Sequence, residues 1–365
     1  MESNILTQLL KNNNKDLIIY NLDKLDDRSL LSVCQVNKQL NEICKSDRAE
    51  NMWRKRVLKR FGEKAVSYKD MFFGNMEKQK DKERSWRSYF LDLVYLDETL
   101  IPDKAIEKAA EKGALDAVKV FIDKFNEEKD AEGDDARFRQ NPWDFVILGA
   151  ASAGNKELID YVINNHGVKA WDYGLFGAAL RGDKDLLNFF IDQGATEWYL
   201  GIEAAAERGD KDLIEFFLEK IRERRNYINE LEGVMFVYKS GILDHGMYGA
   251  ALGGRKDLVE FFIEKGARDW DYALGGAAHG GHKDLVEYFI EKKIEQGNYE
   301  YWKTGIFEAA RGGRRDMIDY FINKLKQEFP DRPNAEDLKE GLYGAEEGGY
   351  KEMIKYFEKL ISEIK

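Results

Sequence analysis

Apolar residues in the last two thirds of this chain recur with helical spacing, and the pattern repeats along the sequence. Gly174-Leu-Phe-Gly-Ala-Ala-Leu-Arg-Gly182-Asp-Lys-Asp-Leu-Leu-Asn-Phe-Phe-Ile191 matches Gly201-Ile-Glu-Ala-Ala-Ala-Glu-Arg-Gly209-Asp-Lys-Asp-Leu-Ile-Glu-Phe-Phe-Leu218, 27 positions further on. The same frame returns around Gly113, Gly154, Gly254, Gly281, Gly313 and Gly349, which makes eight units. Each unit reads as two helices around a tight turn. The first helix carries a small pair such as Ala178-Ala179 or Ala277-Ala278, where short side chains let neighbouring helices approach. A glycine ends it, because Gly adopts the left-handed conformation that closes a helix without steric penalty. The second helix has an acid in its first turn, as at Asp185, Asp212, Asp257 and Asp284, favourable against the helix dipole. Leu258, Val259, Phe261, Phe262 and Ile263 then form one broad apolar face. A single pair cannot bury that face. Stacking can, so the pattern predicts a solenoid of about eight helix pairs over residues 100–365, held by nearest-neighbour contacts. Longer steps place inserts near Glu127 to Gln140, Ile221 to Gly241 and Lys324 to Asp337.

Before Leu100 the repeat is absent. Leu17, Ile18, Ile19 and Leu22, then Leu30, Leu31, Val33, Val36, Leu40 and Ile43, follow helical spacing, with Asp27 or Ser29 placed to cap. Residues 1–99 therefore read as a separate small helical bundle. The fold class is all-α, a bundle followed by a repeat array.

The formal net charge of -11 opposes phosphate backbones, so nucleic acid is not an expected partner. No apolar run approaches the roughly 18 to 20 residues that a membrane span needs. Met1 to Asn14 lack the basic start and apolar stretch of a signal peptide. These features predict a cytoplasmic protein with no membrane association. Cys34 and Cys44, the only cysteines, lie in apolar helical sequence and read as reduced core thiols.

The repeat helices resemble those of ankyrin repeats. The resemblance rests on Ala-Ala-Leu-Arg-Gly182 through Asp-Gln-Gly194-Ala195 and on Ala-Ala-Leu-Gly-Gly254 through Glu-Lys-Gly266-Ala267, each with Ala-Ala, Gly, an apolar second helix and a closing Gly-Ala. The Thr-Pro-Leu-His tetrapeptide of that family is absent, and Tyr173-Gly-Leu-Phe176, His245-Gly-Met-Tyr248 or Thr304-Gly-Ile-Phe307 stands in its place. The tight steps are also shorter than the 33-residue ankyrin period. Bare helix pairs joined by short loops are the alternative to units that carry the ankyrin β-hairpin.

The segment from Asn14 to Phe61 resembles an F-box: an apolar helix, then Leu30-Leu-Ser-Val-Cys-Gln-Val-Asn-Lys-Gln-Leu40, then Trp53-Arg-Lys, with Asn-Lys-Asp16-Leu17 where the family carries Leu-Pro. The resemblance implies docking to the adaptor subunit of a cullin-based ubiquitin ligase, with Leu17, Ile18, Leu22, Leu30, Leu31, Val33, Val36 and Leu40 supplying the apolar contact. The alternative is a bundle that only caps the first repeat. An F-box-like segment joined to divergent ankyrin-like repeats resembles proteins carried in large families by giant DNA viruses of amoebae, which implies action in a host cytoplasm.

Five units carry a tryptophan seven residues before the first alanine of the pair: Trp143, Trp171, Trp198, Trp270 and Trp302. With Tyr173 and Tyr272 they either pack at the junctions between units or line one edge of a target-binding face, where aromatics with a polar handle serve as anchors. Catalytic chemistry is not indicated. His279-Gly-Gly-His282 spans a turn without a third ligand, so no metal is expected. Gly275 to Gly281 lacks the Lys-Ser/Thr of a phosphate loop, so no nucleotide cofactor is expected either. The sequence points to a protein-binding function, either a substrate receptor that links a target to a ubiquitin ligase or a scaffold that sequesters a host protein.

Overall fold

The computed structural model describes residues 15–36, 38–75, 85–132, 140–226, 235–297, 301–329 and 332–364. Five helices form the N-terminal part: α1 (Lys15–Leu22), α2 (Asp27–Val36), α3 (Lys38–Cys44), α4 (Glu50–Asn75) and α5 (Trp86–Thr99). The cap of α2 is Asp26, one residue before the expected position; its carboxylate accepts from the backbone N–H and the hydroxyl of Ser29, and these bonds lower its pKa. Gly62, with φ +82° and ψ 179°, breaks α4 into two helical stretches. Trp53 anchors the bundle core by donating its indole N–H to the Cys44 carbonyl at 2.9 Å and packing on Phe90.

The two cysteines are joined, not reduced: Cys34 of α2 and Cys44 of α3 form a disulfide, and both are fully buried. The expectation of free thiols rested on their place in apolar helical sequence; α3 packs on α2 and sets their Cα atoms 6.1 Å apart, within bridging distance.

Eight helix pairs follow. They are α6 and α7 (Pro102–Glu111, Leu115–Glu132), α8 and α9 (Pro142–Ala153, Lys156–His166), α10 and α11 (Trp171–Arg181, Lys184–Gln193), and α12 and α13 (Trp198–Arg208, Lys211–Asn226). The second half comprises α14 and α15 (Met235–Leu252, Lys256–Lys265), α16 and α17 (Trp270–Gly280, Lys283–Glu295), α18 and α19 (Trp302–Arg311, Arg315–Glu328), and α20 and α21 (Ala335–Gly348, Lys351–Glu363). No strand occurs among the described residues, only an isolated bridge, so these units are bare helix pairs. The chain is an all-α helical repeat solenoid. None of the described helices is long and apolar enough to cross a membrane.

First helices pack on one another along the whole row from α6 to α20, without a break at any insert, whereas neighbouring second helices meet far less. The first helices are therefore the inner row of a curved stack. The close approach lies one residue before the alanine pair. A Cβ on Gly177 would fall 2.6 Å from the Leu148 carbonyl oxygen, and one on Gly249 only 2.1 Å from that of Glu203. The alanine pair shares this contact: the methyl of Ala151, the second of its pair, would lie 2.9 Å from that Cβ on Gly177, and Ala178, Ala179, Ala250 and Ala251 are fully buried. Inside five of the pairs a phenylalanine ring packs on a glycine of the first helix, as where the Phe262 ring lies 2.3 Å from a Cβ on Gly246.

Units also interlock at their turns. Arg208 lies against the turn at Gly182 and donates to the carbonyls of Leu180 and Arg181, which the helix end leaves without intrahelical partners. Arg255 repeats this on Arg208, His282 on Leu252 and Arg314 on His279. The last turn meets the first unit: Ile101 donates to the Gly349 carbonyl at 3.0 Å, Leu100 bridges Tyr350, and Lys351 donates to the Asp97 carbonyl at 2.9 Å. Ile101 and Lys104 cover Gly349 as the interlocking side chains cover the other turns. The stack thus curls until its end rests on its beginning.

Candidate functional site: the inner face of units four to seven

The tryptophans sit at the starts of the first helices and pack on their own units. Trp143 stacks on His166 with ring centroids 3.6 Å apart, Trp171 lies beside Gly194, and Trp198 donates to the Ala195 carbonyl at 3.0 Å. Trp270 and Trp302 are buried against Phe289 and Phe329, and their indole N–H groups have no hydrogen-bond partner among the described residues. Tyr173 is exposed and accepts from the Gln140 amide at 2.8 Å. Tyr272 is set apart from the tryptophans, because it belongs to a polar cluster on the inner row.

That cluster gathers side chains from four units. Tyr199, Glu203 and Glu207 share one face of α12, two turns long by their i, i+4, i+8 spacing. Glu203 accepts from His245 Nδ1 at 2.9 Å, and the Tyr272 hydroxyl approaches the same carboxylate oxygen at 3.4 Å. Tyr272 thus reaches past a whole unit, which only a strongly curved row allows. The His245 ring packs between Tyr199 and Tyr272, with centroids 4.5 and 5.0 Å away, and Tyr272 stacks on Tyr248 at 4.4 Å. On α18, Glu308 is paired with His279 and Arg311, each at 3.2 Å. Burial and the two carboxylates hold the Tyr248 and Tyr272 hydroxyls in their protonated form well above the usual phenol range. Burial, then the charge of Glu203 four residues away, pushes Glu207 up to about 7.

Of this cluster, sequence reasoning singled out only Tyr272. The signal for Glu308 was present: the residue before the small pair is Gly149, Gly177, Ala204, Gly249, Gly276 and Gly344 in the other units from the second onward, and an acid in the seventh. Glu308 is 8% exposed at a position that elsewhere admits no side chain beyond a methyl. The others carry no such mark, because their association depends on curvature.

The paired histidine spacing serves two different neighbours. His279 turns to Glu308 of the following unit, while His282 turns to the Leu252 carbonyl of the preceding one, at 3.0 Å. No group of three or more metal-ligating side chains occurs among the described residues.

In the N-terminal bundle, Ile18, Leu22, Leu30 and Leu40 are buried in the core, Leu31 and Val33 are half-buried, and Leu17 is exposed. The side chain of Val36 lies outside the described residues. Arg56, 7% exposed, binds Asp27 and the carbonyls of Leu22, Asp23 and Leu25, and so closes the end of α1. The fold and these surfaces define an all-α helical-repeat protein whose N-terminal helices pack on its first unit, where α4 lies against α7 and the Tyr68 hydroxyl donates to Asp123 at 2.8 Å. The sequence matches no protein-family model and no curated protein.

Proposed function

We propose that this chain is a protein-binding scaffold, an ankyrin-like array that holds a target on its inner face and links it, through the F-box-like bundle, to the adaptor of a cullin-based ubiquitin ligase. The observation that carries the binding role is the run of buried and half-buried Tyr, His, Glu and Arg side chains across the first helices of four successive units, which the stacking of the array does not require. Large aromatics with polar ends are the side chains that dominate protein interfaces. The ligase link is supported by the order of apolar residues from Leu17 to Leu40 and by the exposure of Leu17 and Tyr20 on α1, beside half-buried Leu31 and Val33. Holding the target beside the ligase would raise its effective concentration for ubiquitin transfer.

A second reading, a scaffold that sequesters a host protein without a ligase link, is favoured by the burial of Ile18, Leu22, Leu30 and Leu40, whose apolar surface is spent within the bundle. Binding of the full chain to the purified adaptor separates the two. The ligase reading expects binding by the wild type and its loss in a folded Leu17→Glu, Tyr20→Glu variant. No binding by the wild type leaves the scaffold alone.

A further inference from the structure

We infer that the inner face of units four to seven takes a cationic segment of a partner protein, with a lysine or arginine side chain seated among Glu203, Glu207 and Glu308 and its stem lying along Tyr272. This rests on the scaffold reading and names the chemistry of the partner. Three features of the face converge on a cation. Its aromatic floor of Tyr199, His245, Tyr272 and Tyr248 is continuous, each ring within 5.0 Å of the next, and such faces attract ammonium and guanidinium groups. Its carboxylates outrun their partners. Glu203 has His245, and Glu308 has His279 together with Arg311, which Glu347 also approaches at 3.7 Å. Glu207 has neither a hydrogen bond nor an ion pair among the described residues, and burial and the charge of Glu203 push its pKa up to about 7. The third feature is Tyr248, which is 3% exposed and whose hydroxyl makes no hydrogen bond among the described residues. Its environment is set by Glu308, Arg311 and Glu203, so the hydroxyl belongs to the same polar recess. A hydroxyl so placed can pair with an incoming donor or acceptor. An acidic segment would meet three carboxylates, and a neutral one would leave Glu207 without a counter-charge.

The test is fluorescence anisotropy of the full chain with a labelled nona-arginine peptide, beside a nona-glutamate peptide and a neutral serine-leucine nonapeptide. The variants are Glu203→Gln/Glu207→Gln on the inner face and Glu260→Gln/Glu264→Gln on exposed positions of α15, which remove the same charge. Glu207→Gln alone serves as well, since this carboxylate holds no partner whose loss would unfold the face. The expected result is binding of nona-arginine, weakened at least about tenfold by the inner double variant, several-fold by the single one, and within about twofold of wild type in the outer variant. Equal weakening by inner and outer pairs would reduce the effect to the general attraction of an acidic protein and overturn the proposal. Binding of the neutral or acidic peptide instead, lost in Tyr272→Ala, would overturn the cationic occupant and leave the scaffold reading standing. If none of the three peptides binds, the inner-face reading falls together with this one.

Discussion

Units three and four and units five to eight solve the same junction problem from opposite sides of the turn glycine. In the earlier pair the interlocking cation precedes the glycine, at Arg181 and Arg208, and the residue after it is an acid, Asp183 or Asp210, that caps the second helix. In the later units a glycine precedes the turn glycine and the interlocking group follows it, at Arg255, His282, Arg314 and Tyr350, where no side-chain cap is made. Where the cation stands after the turn, the second helix forgoes its cap, and the position before the turn must be glycine because the preceding helix lies too close for a Cβ. The repeat therefore conserves a contact between units while the residue that makes it moves by two positions.

The largest effect should come from forcing the earlier arrangement on a later unit. A Cβ on Gly253 would fall 2.0 Å from the Glu207 carbonyl oxygen, so Gly253→Arg must push α12 and α14 apart and should cost about 3 kcal/mol in denaturant unfolding. A cost below ~1 kcal/mol would mean that the two arrangements are interchangeable. Next, Arg208→Ala removes the donors to Leu180 and Arg181 and should cost about 2 kcal/mol, whereas Arg255→Ala, with one such bond to Arg208, should cost about half as much.

At the seam between the two halves, Glu207→Gln should stabilise the protein by about 1.5 kcal/mol at pH 8, after discounting the shift for partial exposure. Because the folded-state pKa of Glu207 is raised to about 7, the folded chain binds more protons than the unfolded chain between about pH 4.5 and 7. Wild-type stability thus falls as pH rises through that window. The variant should lose that component of the fall and match wild type below about pH 4, as thermal melts across the range would reveal. The smallest effect distinguishes the caps: Asp183→Ala should cost about 1 kcal/mol through loss of its bond from the Leu186 N–H.

How far the sequence discloses these features depends on whether they repeat. The eight turns, the Gly-x-Lys-Asp-Leu openings and the apolar second-helix faces recur, so the unit count and the helix pairs were legible. The approach of neighbouring helices was legible at the small pair, where the Ala151 methyl meets the next unit, but the tighter contact one residue before the pair, at Gly177, carried no separate mark because both positions hold small residues. Closure of the array rests on Leu100, Ile101 and Asp97, which lie before the first repeat and leave no periodic trace. The inner cluster escaped notice for a related reason: Glu203 and Tyr272 are 69 positions apart and meet only because the row curves. The disulfide was missed because helix spacing does not reveal which way α3 returns along α2.

The contact between Tyr350 and Leu100 also constrains how the protein can change its length. A stack with two free ends tolerates the duplication or loss of a unit, since each unit answers only to its neighbours. Here the unit number is a geometric constant. Excising residues 171–197, one full repeat, would leave every remaining turn with a partner to receive it and yet carry Gly349 away from Ile101. A duplicated repeat would part the same contact, so the array is closed to growth by tandem duplication.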